Sequence, residues 1–159
     1  MGFGAKYDDD FYAWTQEQAS RLREAAASGA NLPLDWENLA EEIESVGKSD
    51  FRGLAKHLGR VIEHLLKLEF SPAEPPRSGW RRSVRNARDE LDLILKDSPS
   101  LKARLGDAVE WAWRKGLGEA TDGLEADGLT ERDLPADCPY TADQLLDPGW
   151  WPANRHELD

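Results

Sequence analysis

The sequence predicts an all-α fold, an up-and-down helical bundle of four to five helices with an irregular C-terminal tail wrapped on it. Three observations carry this. Apolar residues recur at spacings of three and four along most of the chain. Aspartate or serine precedes these stretches, and glycine or proline closes them. No window alternates apolar and polar residues long enough for a strand. At 159 residues one domain is expected, with a helical core over about 8–121 and the tail over about 122–159.

Asp8, Asp9 and Asp10 precede Phe11, Trp14, Ala19, Leu22 and Ala26, which share one side of a helix with acids at its positive end, and Gly29 stops it. Asp35 is placed to cap a second helix beginning at Trp36. Its apolar stripe runs Trp36, Ala40, Ile43, Gly47, Phe51, Leu54, Leu58, Val61, Leu65 and Leu68 without losing phase. Gly47-Lys48-Ser49 could end one helix and cap the next, but the unbroken phase favours a single long helix in which Gly47 permits close approach. Ser71-Pro72-Ala73-Glu74-Pro75-Pro76 cannot continue a helix and forms the main connection.

Ser78 is expected to cap a further helix with Trp80, Val84, Ala87, Leu91, Ile94 and Leu95 inward and Arg81, Arg85 and Arg88 outward. Arg85 with Asp89 and Arg88 with Asp92 then stand four residues apart as surface pairs. Ser98-Pro99 opens a last long helix through Leu101, Leu105, Ala108, Ala112 and Trp113 toward Leu117. Beyond Gly123 only short turns are expected, near Thr130 and between Thr141 and Leu146, with Trp150 and Trp151 pinning the tail to the bundle.

Composition narrows the function classes. The chain is 40% hydrophobic and 32% charged, with no apolar run long enough to span a bilayer, so no membrane association is expected. The start Met1-Gly2-Phe3-Gly4-Ala5-Lys6-Tyr7 lacks an export signature, which predicts a cytoplasmic protein. Cys138 is the lone cysteine, so an intramolecular disulfide and a thiolate-rich zinc site are excluded. Its acidic surroundings, Pro135-Ala136-Asp137-Cys138-Pro139, suit packing rather than nucleophilic catalysis. A net charge of -11 opposes binding to phosphate backbones, with one exception. Arg77, Arg81, Arg82, Arg85 and Arg88 follow one another with no acid between them, the one stretch able to meet nucleic acid.

The opening Tyr7-Asp8-Asp9-Asp10-Phe11-Tyr12-Ala13-Trp14-Thr15 and the stretch Leu34-Asp35-Trp36-Glu37-Asn38-Leu39-Ala40-Glu41-Glu42-Ile43-Glu44-Ser45-Val46-Gly47 resemble the bacterial domain of unknown function 29 family. The likeness continues through His64-Leu65-Leu66-Lys67, Trp80-Arg81, Asp97-Ser98-Pro99-Ser100-Leu101 and Cys138-Pro139-Tyr140-Thr141, and closes with Gln144-Leu145-Leu146-Asp147-Pro148-Gly149-Trp150-Trp151-Pro152. Nearly the whole chain is covered. The resemblance implies a stand-alone helical domain and hands over no catalytic residues. Leu68 departs from the family pattern, which carries tryptophan there.

Three constellations could carry chemistry. On the long helix, His57, Arg60 and His64 follow at helical spacing, with Glu41, Glu42 and Glu44 turns earlier. Two turns separate the histidines, too far to share an ion, and the helix-borne Glu-x-x-His and His-Glu-x-x-His signatures are absent. His64 is thus expected to be half-buried with a carboxylate partner such as Glu41. No metal or cofactor is expected, and His64 with Glu41 is the pair to test for one. Second, Arg52 and His57 have a spacing similar to the arginine-histidine motif of small helical ribonucleases of the higher eukaryote and prokaryote nucleotide-binding class. Such a pair would stabilise a pentavalent phosphate and move a hydroxyl proton without metal. Third, Arg81, Arg85 and Arg88 beside Trp80 offer a charged and stacking face for a ligand.

No glycine-rich phosphate loop or nucleophile elbow is present. The leading reading is therefore a non-enzymatic interaction or regulatory module, in which the tryptophan-rich surface or the acidic tail docks a protein partner. The alternative is a small nuclease or metal-assisted hydrolase using His64 or the Arg52 and His57 pair.

Overall fold

The computed structural model describes residues 4–159, and the Met1–Phe3 start of the segment read for export signals lies outside the described residues. The chain is all-α, with α1 (Phe11–Ala27), α2 (Trp36–Phe70), α3 (Arg77–Asp97), α4 (Leu105–Leu124) and the short α5 (Ala142–Leu146). Two compact units are distinguished. The first comprises residues 4–53 and Leu93–Ala103, and the second Leu54–Asp92 and Arg104–Asp159.

In the first unit Asp10 does the capping that its position predicts. Its Oδ1 accepts the amide of Ala13 at 2.9 Å, satisfying one of the unpaired N–H groups that open α1. The same carboxylate reaches across 90 positions and accepts the amide of Ser100 at 2.7 Å and its hydroxyl at 2.8 Å. Ser98 does not cap its own helix. Its hydroxyl oxygen accepts the amide of Tyr12 at 3.0 Å. The chain after Pro99 makes 3-10 turns through Arg104 before α4 begins, where a regular helix from Pro99 is the sequence expectation.

Gly29 takes a left-handed φ of 77° just past α1, the conformation glycine adopts without a Cβ penalty. Asp35 caps α2 through the amide of Asn38 at 3.3 Å. The helix then runs unbroken for 35 residues, so Gly47 is no terminator. Its role is contact, because a Cβ there would lie 2.2 Å from the Thr15 hydroxyl oxygen on α1. Ala19, Ala40 and Thr15 are fully buried around this approach, while Tyr7 meets the rings of Phe11 and Trp14 edge-on at 5.5 and 5.0 Å.

The second unit holds the larger apolar core. Leu54, Leu58, Val61, Leu65 and Leu68 from the predicted stripe are buried, as are Val84 and Leu91 of α3 and Ala108, Ala112 and Ala120 of α4. Each such leucine contributes about 2 kcal/mol on removal from water. Small residues set the α2 to α4 approach, since a Cβ on Gly116 would fall 2.8 Å from Ile62 Cγ2 and 2.9 Å from the Gly59 carbonyl. α3 begins at Arg77, with the Pro76 carbonyl accepting the Trp80 amide at 3.1 Å, so Ser78 lies inside the first turn rather than at the cap.

The tail closes the open end of α2. Asn154 donates to the carbonyls of Leu68 at 2.7 Å and Ser71 at 3.0 Å, the Arg155 amide donates to Glu69 at 2.9 Å, and His156 Nε2 sits 3.1 Å from the Phe70 carbonyl. Those acceptors are the carbonyls that a helix end leaves without partners. Thr141 and Gln144 form a reciprocal capping box on α5, and Thr130 with Asp133 does the same for a single 3-10 turn.

Candidate functional site

The arginines of α3 converge where the sequence spaces them, on one side of the helix. Their common target is an indole. The guanidinium carbons of Arg81, Arg85 and Arg88 lie 5.1, 5.7 and 5.1 Å from the centroid of the Trp151 ring. The aromatic partner is thus Trp151 from the tail, while Trp80, the sequence candidate, is half-buried near the start of α3.

These arginines divide into two kinds. Arg88, expected to face outward, is 4% exposed and donates from Nε to the Leu145 carbonyl and from Nη2 to the Gln144 carbonyl, both at 2.9 Å. Its Nη1 is buried with no hydrogen-bond acceptor. Burial lowers its pKa, with Asp147 opposing that shift. Arg77 is equally committed, donating to the Leu68 carbonyl at 2.9 Å and to Asp159 at 3.0 Å. Arg81 is half-buried and Arg85 exposed, and among the described residues neither guanidinium has a hydrogen-bond acceptor or an ion pair. The Arg85 to Asp89 pair predicted from spacing does not form, because the guanidinium lies against Trp151 instead. Cationic faces therefore pack on the indole while their N–H edges stay available.

His57 is held elsewhere in the second unit. It lines a cleft of about 410 Å³ between α2 and α3, with Arg60, Ser83, Asn86, Ala87, Asp89 and Glu90. Burial lowers the His57 pKa, and the negative charge of Glu90 opposes this. The companion arginine that shares this cleft is Arg60. Arg52 is exposed and is not among the lining residues.

His64 is 7% exposed. Its Nδ1 lies 2.9 Å from the Arg60 carbonyl, which fixes the proton on that nitrogen and leaves Nε2 as the acceptor. Its carboxylate neighbour is Glu63 at 3.7 Å, where Glu41 is the sequence expectation, and Glu41 itself is exposed. Lys67 holds the other oxygen of Glu63 at 2.7 Å. Burial lowers the His64 pKa despite that carboxylate. No group of three or more metal-ligating side chains comes together among the described residues. Cys138 is half-buried, its thiol facing the Tyr140 carbonyl at 3.5 Å, and burial raises its pKa. No described helix is long and apolar enough to cross a membrane.

Fold and site together define an all-helical protein with a charged face braced by its C-terminal tail. The model of the domain of unknown function DUF29 matches residues 6–151, and the chain belongs to that family. A solved structure with a similar fold is an alpha-helical protein of unknown function from Rhodospirillum rubrum. It is 28% identical, the match covers 93% of each chain, and the TM-score is 0.75. No functionally curated protein matches.

Proposed function

We propose that this chain is a non-enzymatic interaction module of the cytoplasm, and that Arg81 and Arg85 on Trp151 dock an acidic segment of a protein partner. One observation carries the reading: two guanidinium groups share an indole, and among the described residues no carboxylate engages either of them. In a chain of net charge -11, acids are abundant, yet none is spent on this pair. An acidic peptide would supply the missing acceptors through charge-assisted hydrogen bonds, and the indole would supply a rigid apolar anchor. The overall negative charge favours a discrete acidic segment over a long phosphate backbone.

Fluorescence anisotropy with a labelled Asp- and Glu-rich peptide tests this. The expected result is saturable binding that weakens with salt and falls about tenfold or more in an Arg81→Ala, Arg85→Ala double variant of unchanged melting temperature. Equal affinity in the double variant, or no binding at low salt, would overturn it. So would cleavage of an RNA panel that is lost in His57→Ala, which supports the nuclease alternative.

A further inference from the structure

The cleft between α2 and α3 has a composition that a packed helix interface does not need. Six of its seven lining residues are polar or charged, His57, Arg60, Ser83, Asn86, Asp89 and Glu90, with Ala87 as the apolar one. Among the described residues, none of those six side chains takes part in a hydrogen bond or an ion pair with the rest of the chain. Other charged side chains of the second unit are committed to the chain, Arg88 and Arg77 to carbonyls, Lys67 to Glu63 and Arg155 to Glu69. In the cleft a cation and two anions border one space without neutralising one another. The volume of about 410 Å³ lies in the range of small-molecule sites.

We propose that this cleft binds a small dibasic amino acid, one carboxylate with two cationic nitrogens. Charge complementarity selects the class. Arg60 presents a planar fork of donors matched to a carboxylate, the geometry in which guanidinium groups recognise such ligands two bonds at a time. Asp89 and Glu90 offer acceptors for two ammonium or guanidinium groups. Ser83 and Asn86 add uncharged donors and acceptors that fix orientation, and neutral His57 can accept an N–H. A dicarboxylate would leave both acids opposed, and a simple diamine would leave Arg60 without an acceptor. The cleft is independent of the arginine face, because none of its lining residues belongs to the Arg81, Arg85 and Trp151 cluster.

Isothermal titration calorimetry at low salt, with ornithine as the probe and putrescine as the carboxylate-free comparison, tests the proposal. One-to-one binding of ornithine is expected, tighter than that of putrescine. Arg60→Met should weaken ornithine by about tenfold or more and leave putrescine unchanged, whereas Glu90→Gln should weaken both by a similar factor. The Arg81→Ala, Arg85→Ala variant should bind ornithine as the parent does, which separates this site from the acidic-peptide reading. Arg60, Glu90 and Arg85 are exposed and Arg81 is half-buried, and a matched circular dichroism spectrum establishes that each variant is folded. Absence of saturable heat up to millimolar ornithine would overturn the proposal, as would wild-type affinity in both Arg60→Met and Glu90→Gln. Putrescine binding as tightly as ornithine would overturn the assignment of Arg60 to a carboxylate.

Discussion

Asn154 joins the carbonyls of Leu68 and Ser71 with a single side-chain amide, at 2.7 and 3.0 Å. A helix that ends in Phe70-Ser71-Pro72 has no glycine to close it, and an asparagine more than 80 positions later supplies the closure. Asn154→Ala removes two bonds to partly buried acceptors, which should cost about 1–3 kcal/mol. Urea denaturation measures the loss, and faster amide exchange confined to the last turn of α2 and the tail would locate it.

Arg88→Met should be more damaging. It keeps much of the aliphatic bulk but strands the carbonyls of Leu145 and Gln144, so a loss of about 2–4 kcal/mol is expected, with α5 loosened first. Arg85→Met, on the same helix and against the same indole, should change stability by less than about 0.5 kcal/mol because its guanidinium edge is solvated. Thermal melts of the two variants side by side give the contrast.

Gly116→Ala tests the α2 to α4 approach. The added methyl would meet a backbone carbonyl and the Ile62 side chain below 3 Å, so the helices must part, at a cost of about 1–3 kcal/mol. Gly118→Ala has open space around the new atom and should be neutral or slightly stabilising. Equal melting temperatures for the two would refute the close contact.

Acid should destabilise the chain just below neutrality. His64 and His57 both have pKa values lowered by burial, so the unfolded chain binds more protons than the folded one. Their contribution is intact above the ordinary histidine pKa of about 6.5 and is lost as pH falls through that value toward the lowered ones. The urea midpoint of the parent should drop as pH is taken from the mid-sevens to the mid-fives. His64→Gln, neutral throughout, should flatten that slope, and an unchanged slope would show that His64 is not the group titrating.

What the sequence reveals about this fold follows from which interactions leave a local trace. The stripe from Trp36 to Leu68 is legible because burial imposes a period, and every position in it is buried or half-buried. Asp10 and Asp35 are legible because a cap acts within three residues. Arg88 is not, because arginine ordinarily seeks water and its acceptors are carbonyls of Gln144 and Leu145, which have no signature in sequence. The choice of Trp80 over Trp151 fails for a related reason. Proximity along the chain favours the former, whereas a tail that folds back brings the latter. His64 shows both sides: its burial follows from its place beside the stripe, but its carboxylate is the adjacent Glu63, a pairing set by side-chain direction rather than helical spacing.

The double use of the Asp10 carboxylate bears on how the polypeptide matures as it is made. The first unit is assembled from residues 4–53 and a piece that arrives only with Leu93–Ala103. Until Ser98 and Ser100 have been synthesised, the Asp10 carboxylate keeps only its bond from Ala13 and the hydroxyl that receives the Tyr12 amide does not yet exist. A ribosome-bound nascent chain halted before that point would hold α1 without its anchor and leave its aromatic residues open to chaperones.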